Sequence, residues 1–315
     1  MQPPSSLLLD QRPAFLSHIS KDLFLTSTYQ LDPLGKIRDG KLVTLSASPL
    51  SVVSSVPTSA GIFRFSLIDE NTALACLTNG KLVRVNLSDS TVCFESEPLS
   101  SDMLMTSYEA PGGDRVLTTD NLGQVIVVEA FDFKKTHRWD AHKLPYTNEP
   151  CEVWSSCWLD DNRILSGAED GIMKLWDLRD LDQENPKPVA TNKNFEAGVV
   201  FIDRLGAEIF TGSYDEHLRI FDERNLAKPV RVAKLNGGVW QVNPIKNDDF
   251  HLIAACMYGG WQMIDRQSLE TVAQNADIGK DLLYGASAVC VEENKYNIAS
   301  CTFNNYSVTC ESVEL

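Results

Sequence analysis

The 315-residue chain repeats itself, and that repetition narrows its possible folds more than any other feature. The clearest unit runs Ile164-Leu165-Ser166-Gly167-Ala168-Glu169-Asp170-Gly171-Ile172-Met173-Lys174-Leu175-Trp176-Asp177. Two short β-rich runs flank a turn, and the second closes on Trp-Asp. A second copy spans Ile209 to Asp222, and a degenerate third spans Leu252 to Asp265. Weaker echoes place the closing pair at Leu45-Ser46, Val85-Asn86, Val128-Glu129, Trp176-Asp177, Phe221-Asp222, Ile264-Asp265 and Cys310-Glu311. By subtraction the intervals are 40, 43, 48, 45, 43 and 46 residues. A period near 40 to 45 is that of a four-stranded propeller blade.

Seven units must close on themselves. One four-stranded blade has two apolar faces and cannot bury both alone, whereas a ring gives every blade two neighbours. The last unit shows three strands, at Tyr284–Cys290, Tyr296–Cys301 and Tyr306–Glu311, so its outer strand is expected from Ser6–Leu9. The expected fold is all-β: a seven-bladed WD-repeat β-propeller, residues 1–315 as a single domain, closed by an N-terminal outer strand.

Charge restricts the partners. The formal net charge of −15, with a pI near 4.7, disfavours nucleic acid and anionic membranes and favours a basic or cationic partner. Eight cysteines occur without a CxxC pair or a Cys/His spacing of the zinc type, so no metal and no cofactor are expected. Most lie in apolar runs such as Leu74–Leu77 and read as buried free thiols of a reducing compartment. The start lacks a basic segment before Leu7-Leu8-Leu9, and no apolar run nears the roughly 18 residues that cross a bilayer. A cytoplasmic location is the expectation.

Four residues of the strongest repeat have a structural reading. His142 stands where WD repeats carry Gly-His, and with Ser166, Asp170 and Trp176 it can form the hydrogen-bonded tetrad that locks a blade. Asp215 takes the same turn one blade later. The loops before each inner strand and the turn holding this aspartate share one rim with the channel mouth. There the chain places Glu149, Glu152, Trp154, Glu169, Glu196, Tyr214, Glu216, Trp240 and Tyr284. Carboxylates interleaved with aromatics suit a cation. The plainer alternative is that the acidic loops are merely solvated and that Trp154 and Trp240 belong to the core.

Enzyme motifs are nearly absent. Gly285-Ala286-Ser287-Ala288-Val289 fails the nucleophile-elbow pattern, and no H-E-x-x-H, P-loop or dinucleotide fingerprint occurs. Of five histidines, His217 follows a rim turn directly and could act as a general base on water, against the plainer reading of a half-exposed strand histidine. Residue chemistry alone stops at a propeller with an acidic, aromatic rim, whose usual role is protein binding.

Several strings are unusual for such repeats. They are Gly212-Ser213-Tyr214-Asp215-Glu216-His217, Gly237-Gly238-Val239-Trp240 and Ala254-Ala255-Cys256-Met257, together with Ser27-Thr28-Tyr29-Gln30-Leu31, Trp139-Asp140-Ala141-His142, Glu152-Val153-Trp154 and Leu283-Tyr284-Gly285-Ala286. Taken in their order along the chain, from about Ser27 to Ser300, they resemble the WD-repeat family of diphthamide biosynthesis, the diphthine methyl ester hydrolases, in older naming diphthine methyltransferases. The resemblance implies hydrolysis of the methyl ester of methylated diphthine on translation elongation factor 2, with release of methanol, before amidation to diphthamide. That substrate bears a trimethylammonium group on a modified histidine.

On this reading His217 or Glu152 activates water, and backbone N–H groups near Gly237 and Gly238 receive the oxyanion. Tyr214 or Tyr284 could donate to it, and Trp154, Trp240 and Glu216 hold the trimethylammonium. Two departures stand out. Asn194-Phe195-Glu196 replaces a loop that carries histidine in some members, and Tyr284-Gly285-Ala286-Ser287-Ala288 replaces Tyr-Gly-Ala-Asp-Trp. The competing expectation is a non-catalytic scaffold that binds a basic protein.

Overall fold

Side-chain alternation organises the molecule. Along Thr72–Leu77, Leu74 and Cys76 face one way while Ala73, Ala75 and Leu77 face the other, and all five are fully buried. A strand buried on both faces needs a sheet on each side. The chain meets this need seven times.

The computed structural model describes residues 4–20, 22–31 and 38–315. It holds seven four-stranded antiparallel sheets and one two-stranded pair, Gln30–Leu31 with Arg38–Asp39. The innermost strands of blades 1 to 7 are Pro13–Ser20, Ile62–Asp69, Leu104–Glu109, Ser155–Trp158, Val199–Leu205, Gln241–Ile245 and Leu283–Glu292. Each packs against the innermost strand before and after it, and that of blade 7 packs against that of blade 1, so the ring is closed. All seven marked closing pairs fall on the third strand of a blade, from Lys41–Ala47 in blade 1 to Ser307–Glu314 in blade 7.

Every seam between neighbouring blades carries its own apolar cluster. Phe15, Leu25 and Leu42 meet Ile62, Phe65 and Ala75 between blades 1 and 2. Leu74 and Leu82 meet Val116 and Ile126 between blades 2 and 3. The pattern continues to the seam of Leu16, Phe24 and Leu45 with Ala299, Cys301 and Val308, which joins blade 1 to blade 7. Each fully buried Val, Leu or Ile contributes roughly 1.5–3 kcal/mol. A charge at Leu74, by contrast, would sit in a seam with no counter-charge.

The ring closes as expected, with shifted strand ends. The N-terminal strand is Ser5–Leu8, and it pairs antiparallel with Ser307–Glu314 in the register Ser5↔Cys310 to Leu8↔Ser307. Leu9 lies just beyond it, yet its N–H still donates to the Tyr306 carbonyl at 2.8 Å. The three other strands of blade 7 are longer than read from sequence: Leu283–Glu292, Lys295–Thr302 and Ser307–Glu314. Tyr306 itself stands in the turn, at φ 63°.

Six of the eight cysteines are buried, all eight are free thiols, and Cys93 is exposed. Burial pushes the Cys76 thiol up to about 12. Among the described residues no helix is long and apolar enough to cross a membrane.

Candidate functional site

The turn between the second and third strands of a blade always ends on the same rim, but successive blades use it differently. In blade 4, His142 Nδ1–H donates to Asp170 Oδ2 at 2.8 Å, and the Ser166 hydroxyl lies 2.8 Å from His142 Nε2. The Trp176 indole N–H donates to the same hydroxyl oxygen at 2.8 Å. The four residues thus form one chain of hydrogen bonds, which satisfies polar groups that a seam would otherwise strand. Burial lowers the His142 pKa against the pull of Asp170. In blade 3 the carboxylate comes two positions earlier in the hairpin, at Asp120, which accepts from the Ser100 hydroxyl at 2.7 Å. In blade 5 the place of Asp170 is held by Asp215, whose partner is Arg219, through two contacts of 2.9 and 2.8 Å.

Above the channel the blades contribute a circuit of rings. Tyr29 faces Phe63 (6.2 Å between centroids), Phe63 faces Trp154 (6.1 Å), and Trp154 faces Tyr214 (6.2 Å). Tyr214 stacks on Trp240 (6.2 Å), and Trp240 stacks on Tyr284 (4.9 Å). Tyr284 meets Phe303 (4.9 Å), and Phe303 returns to Tyr29 (5.2 Å). Blade 3 supplies no ring but adds Met103 and Met105 to the same cluster, and blade 6 adds Met257. Trp240 is 1% exposed and forms the floor, while Trp154, Tyr214 and Tyr284 are half-buried walls. The result is a shallow aromatic bowl at one mouth of the ring.

Glycines let the walls lie close. A Cβ on Gly198 would fall 2.7 Å from Glu169 Oε2 and 3.1 Å from Tyr214 Cδ2, so those two side chains share one spot on the rim. A Cβ on Gly238 would meet Met257 Sδ at 3.0 Å and Tyr214 Cδ1 at 3.4 Å. A methyl group at Gly198 would displace the Glu169 carboxylate and press on Tyr214, and one at Gly238 would press on Met257.

Carboxylates border one side of the bowl. The Trp154 indole N–H donates to Glu169 Oε2 at 2.7 Å. Partial burial, with the charges of Glu152 and Asp170 adding, raises the Glu169 pKa against that bond. Burial likewise raises the Tyr214 pKa, with Glu169 and Glu152 among the contributing charges. The Glu169 N–H donates to the Glu152 carbonyl at 2.9 Å, so the two residues adjoin at that wall.

The residues singled out from sequence separate into two groups. Trp154, Tyr214, Trp240 and Tyr284 meet in the bowl, Gly238 backs Tyr214, and Glu152 borders it. Glu216 turns outward to Lys234 at 3.3 Å. His217 opens the third strand of blade 5, paired with Lys234 in the fourth. Its Nδ1–H donates to the Asp215 carbonyl at 2.7 Å. A carbonyl can only accept, so the neutral ring keeps Nε2 free to take a proton. Gly237 is buried against the Cys256 carbonyl and Gly259, not open to the bowl. Glu149 is exposed on its loop, and Glu196 is exposed with its N–H held by Asp215 at 3.0 Å.

Sequence reasoning put Glu169 on the rim but gave it no role, and it missed Tyr29, Phe63, Phe303 and Arg64. Phe63 and Arg64 are adjacent in an inner strand that reads as ordinary core. Only ring closure brings them beside Trp154, about 90 residues away (a separation of 90 for Arg64 and the Trp154 carbonyl). Among the described residues no cluster of His, Cys, Asp or Glu could hold a metal ion.

Comparison with known proteins agrees with this architecture. The WD domain, G-beta repeat family matches residues 133–177, which hold the fourth strand of blade 3, Lys135–Asp140, and the first three strands of blade 4. The chain is 28% identical over 238 residues to the human protein named diphthine methyltransferase, covering 66% of this chain and 50% of that one. It is 30% identical over 184 residues to a diphthine methyltransferase homolog of Dictyostelium discoideum, covering 53% and 48%. Its likeness to the diphthine methyltransferase of Schizosaccharomyces pombe is 22% over 269 residues, covering 79% and 77%. The chain spans about half the length of the human and Dictyostelium relatives. These matches, together with the seven blades, show a WD-repeat propeller similar to proteins named diphthine methyltransferase.

Proposed function

We propose that the chain is a carboxylic-ester hydrolase that removes the methyl ester from methylated diphthine on translation elongation factor 2. The observation that carries this reading is the bowl itself, a closed circuit of aromatic rings with Glu169 hydrogen-bonded to one wall and Glu152 beside it. Ring faces and carboxylates attract a quaternary ammonium, which has no N–H to donate and is recognised by charge and shape. The overall charge of −15 would draw a basic partner toward the rim.

The chemistry then needs a base near the cradle. Water adds through its oxygen to the ester carbon and gives one proton to the base. The bond from that carbon to the methoxy oxygen breaks, and the departing oxygen takes the proton back and leaves as methanol. Glu152, two residues before Trp154 and bonded through its backbone to Glu169, is the first candidate for the base. His217, with Nε2 free, is the second candidate, at the end of the blade 5 turn that holds Tyr214. Glu216, engaged by Lys234, is set aside as a cradle residue, and Glu169 takes its part.

The test is methanol release from elongation factor 2 bearing the methyl ester. Wild-type protein is expected to release methanol, and Glu152→Gln to lose about a hundredfold or more of the rate. Full turnover by Glu152→Gln with loss in His217→Ala would move the base to His217. Tight binding of the modified factor without any methanol would make the chain a non-catalytic reader of the same group.

A further inference from the structure

The floor of the bowl contains a buried charge with no counter-charge. Arg64, on the innermost strand of blade 2, is 5% exposed. Its Nη1 donates to the carbonyls of Trp154 at 2.9 Å and Val200 at 3.0 Å, two residues at the channel-side starts of blades 4 and 5. The guanidinium lies 4.6 Å from the Trp240 ring centroid and 5.5 Å from that of Phe63. Its Nε and Nη2 have no hydrogen-bond partner, and neither has the Nε1 of Trp240. The ionisable groups around it are Tyr108, Tyr214, Cys76 and Tyr284, with no carboxylate among them.

Most buried polar groups are partnered, and an unpaired buried charge is among the least favourable arrangements a fold can keep. The other cations near the mouth are engaged differently. Arg12 lies over the Phe303 and Tyr306 rings and donates to the Tyr306 hydroxyl. Arg38 reaches Met103 Sδ, and Arg219 is paired with Asp215. Among the described residues Arg64 alone combines deep burial, free donors and a place against the Trp240 and Phe63 rings.

We propose that Arg64 and the Trp240 indole form the anion end of the bowl, receiving a carboxylate whose own molecule lodges a quaternary ammonium against Trp154, Tyr214 and Glu169. This deepens the esterase reading and rests on it. The bowl then has two poles, with carboxylates on the blade 4 wall and a guanidinium in the floor. The donors that meet the ester carbonyl before hydrolysis meet a full carboxylate after it. A charge-assisted bond is the stronger of the two, so the product binds more tightly than the ester and inhibits turnover.

The test titrates the full chain with betaine, a trimethylammonium carboxylate, and with choline, which has the same ammonium and no carboxylate. Calorimetry gives the affinities, and the Arg64 Nε–H resonance is followed by nitrogen-15 NMR. Betaine is expected to bind about tenfold more tightly than choline, the scale of one charge-assisted contact. It is also expected to move the Nε–H resonance, which choline leaves in place. In Arg64→Met the two ligands should bind alike, with choline affinity unchanged within about twofold.

Equal binding of the two by wild-type protein, or an unmoved Nε–H at saturating betaine, overturns the assignment. The resonance decides the matter even if Arg64→Met fails to fold. Choline binding without a preference for betaine removes Arg64 and leaves the esterase reading intact. Failure of both ligands, with no methanol released, removes both.

Discussion

Two buried arginines of this ring show how one side chain can serve opposite ends. Arg219, in the third strand of blade 5, is 6% exposed, forks onto Asp215 and lies 4.8 Å over the Phe195 ring. All its charge is answered within its own blade and the adjoining rim. Arg64 is buried to the same degree, yet it has two carbonyls, aromatic faces and no carboxylate. Burial is equal, so the difference lies in the partners. A paired buried charge holds a structure, whereas an unpaired one keeps donors ready for something else.

The comparison can be broken at its stronger side first. Asp215→Ala leaves Arg219 buried without its counter-charge and is expected to cost about 3–5 kcal/mol, measured by urea unfolding. A loss under about 1 kcal/mol would show that the pair does not hold the turn. The rim turn would then keep its shape through the backbone bonds of Glu196 and His217 alone.

Acid offers a second way to sharpen it, because a histidine can discharge and an arginine cannot. His18 is buried between Ser287, whose hydroxyl lies 2.7 Å from Nδ1, and Phe24, and its Nε2 has no partner. Burial, with Lys246 adding, lowers its pKa from 6.5 to about 3. The unfolded chain therefore binds a proton in this window that the folded chain refuses. Stability from this group is full above pH 6.5 and is lost as pH falls toward 3, by at most about 1.4 kcal/mol per pH unit. His18→Gln should flatten the profile of unfolding free energy between roughly pH 6 and 4. An unchanged profile would mean that His18 is already protonated in the folded ring.

Effects at the bowl should be smaller. Trp154→Ala removes a wall and the donor to Glu169, and it should weaken choline binding by about 1–2 kcal/mol in calorimetry. Unaltered affinity would place the cation elsewhere. Smallest of all, Glu216→Gln disturbs only an exposed contact with Lys234 and should change stability and choline affinity by less than about 0.5 kcal/mol. A larger effect would return Glu216 to the cradle.

The ring was legible in sequence because its signal is repeated. Trp176-Asp177 and Phe221-Asp222 set a period, and even Leu45-Ser46 and Cys310-Glu311, which carry no Trp-Asp, fall on third strands. The tetrad was legible because His142, Ser166, Asp170 and Trp176 sit at fixed places in one unit. The bowl was only half legible. Trp154, Tyr214, Trp240 and Tyr284 stand out as aromatics on rim loops, but Glu216 and His217, which adjoin Tyr214 in sequence, are engaged by Lys234 and the Asp215 carbonyl. A turn sends successive side chains in different directions, and nearness along the chain says little there. Arg64 was invisible for the opposite reason, since its neighbours come from blades 4, 5 and 6 and nothing local marks a charge as unpaired.

The clasp between Ser5–Leu8 and Ser307–Glu314 also has a consequence in time. The strand that completes blade 7 is synthesised before the rest of the ring, and the partner of Ser5 follows 305 residues later. At roughly 5–20 residues per second, a ribosome keeps it waiting about 15–60 seconds. Throughout that wait an early segment must stay unpaired without recruiting a foreign strand. Its four residues are short for an edge, two of them are serine, and three are exposed even when docked. Those traits suit a latch that must remain indifferent until the last blade arrives.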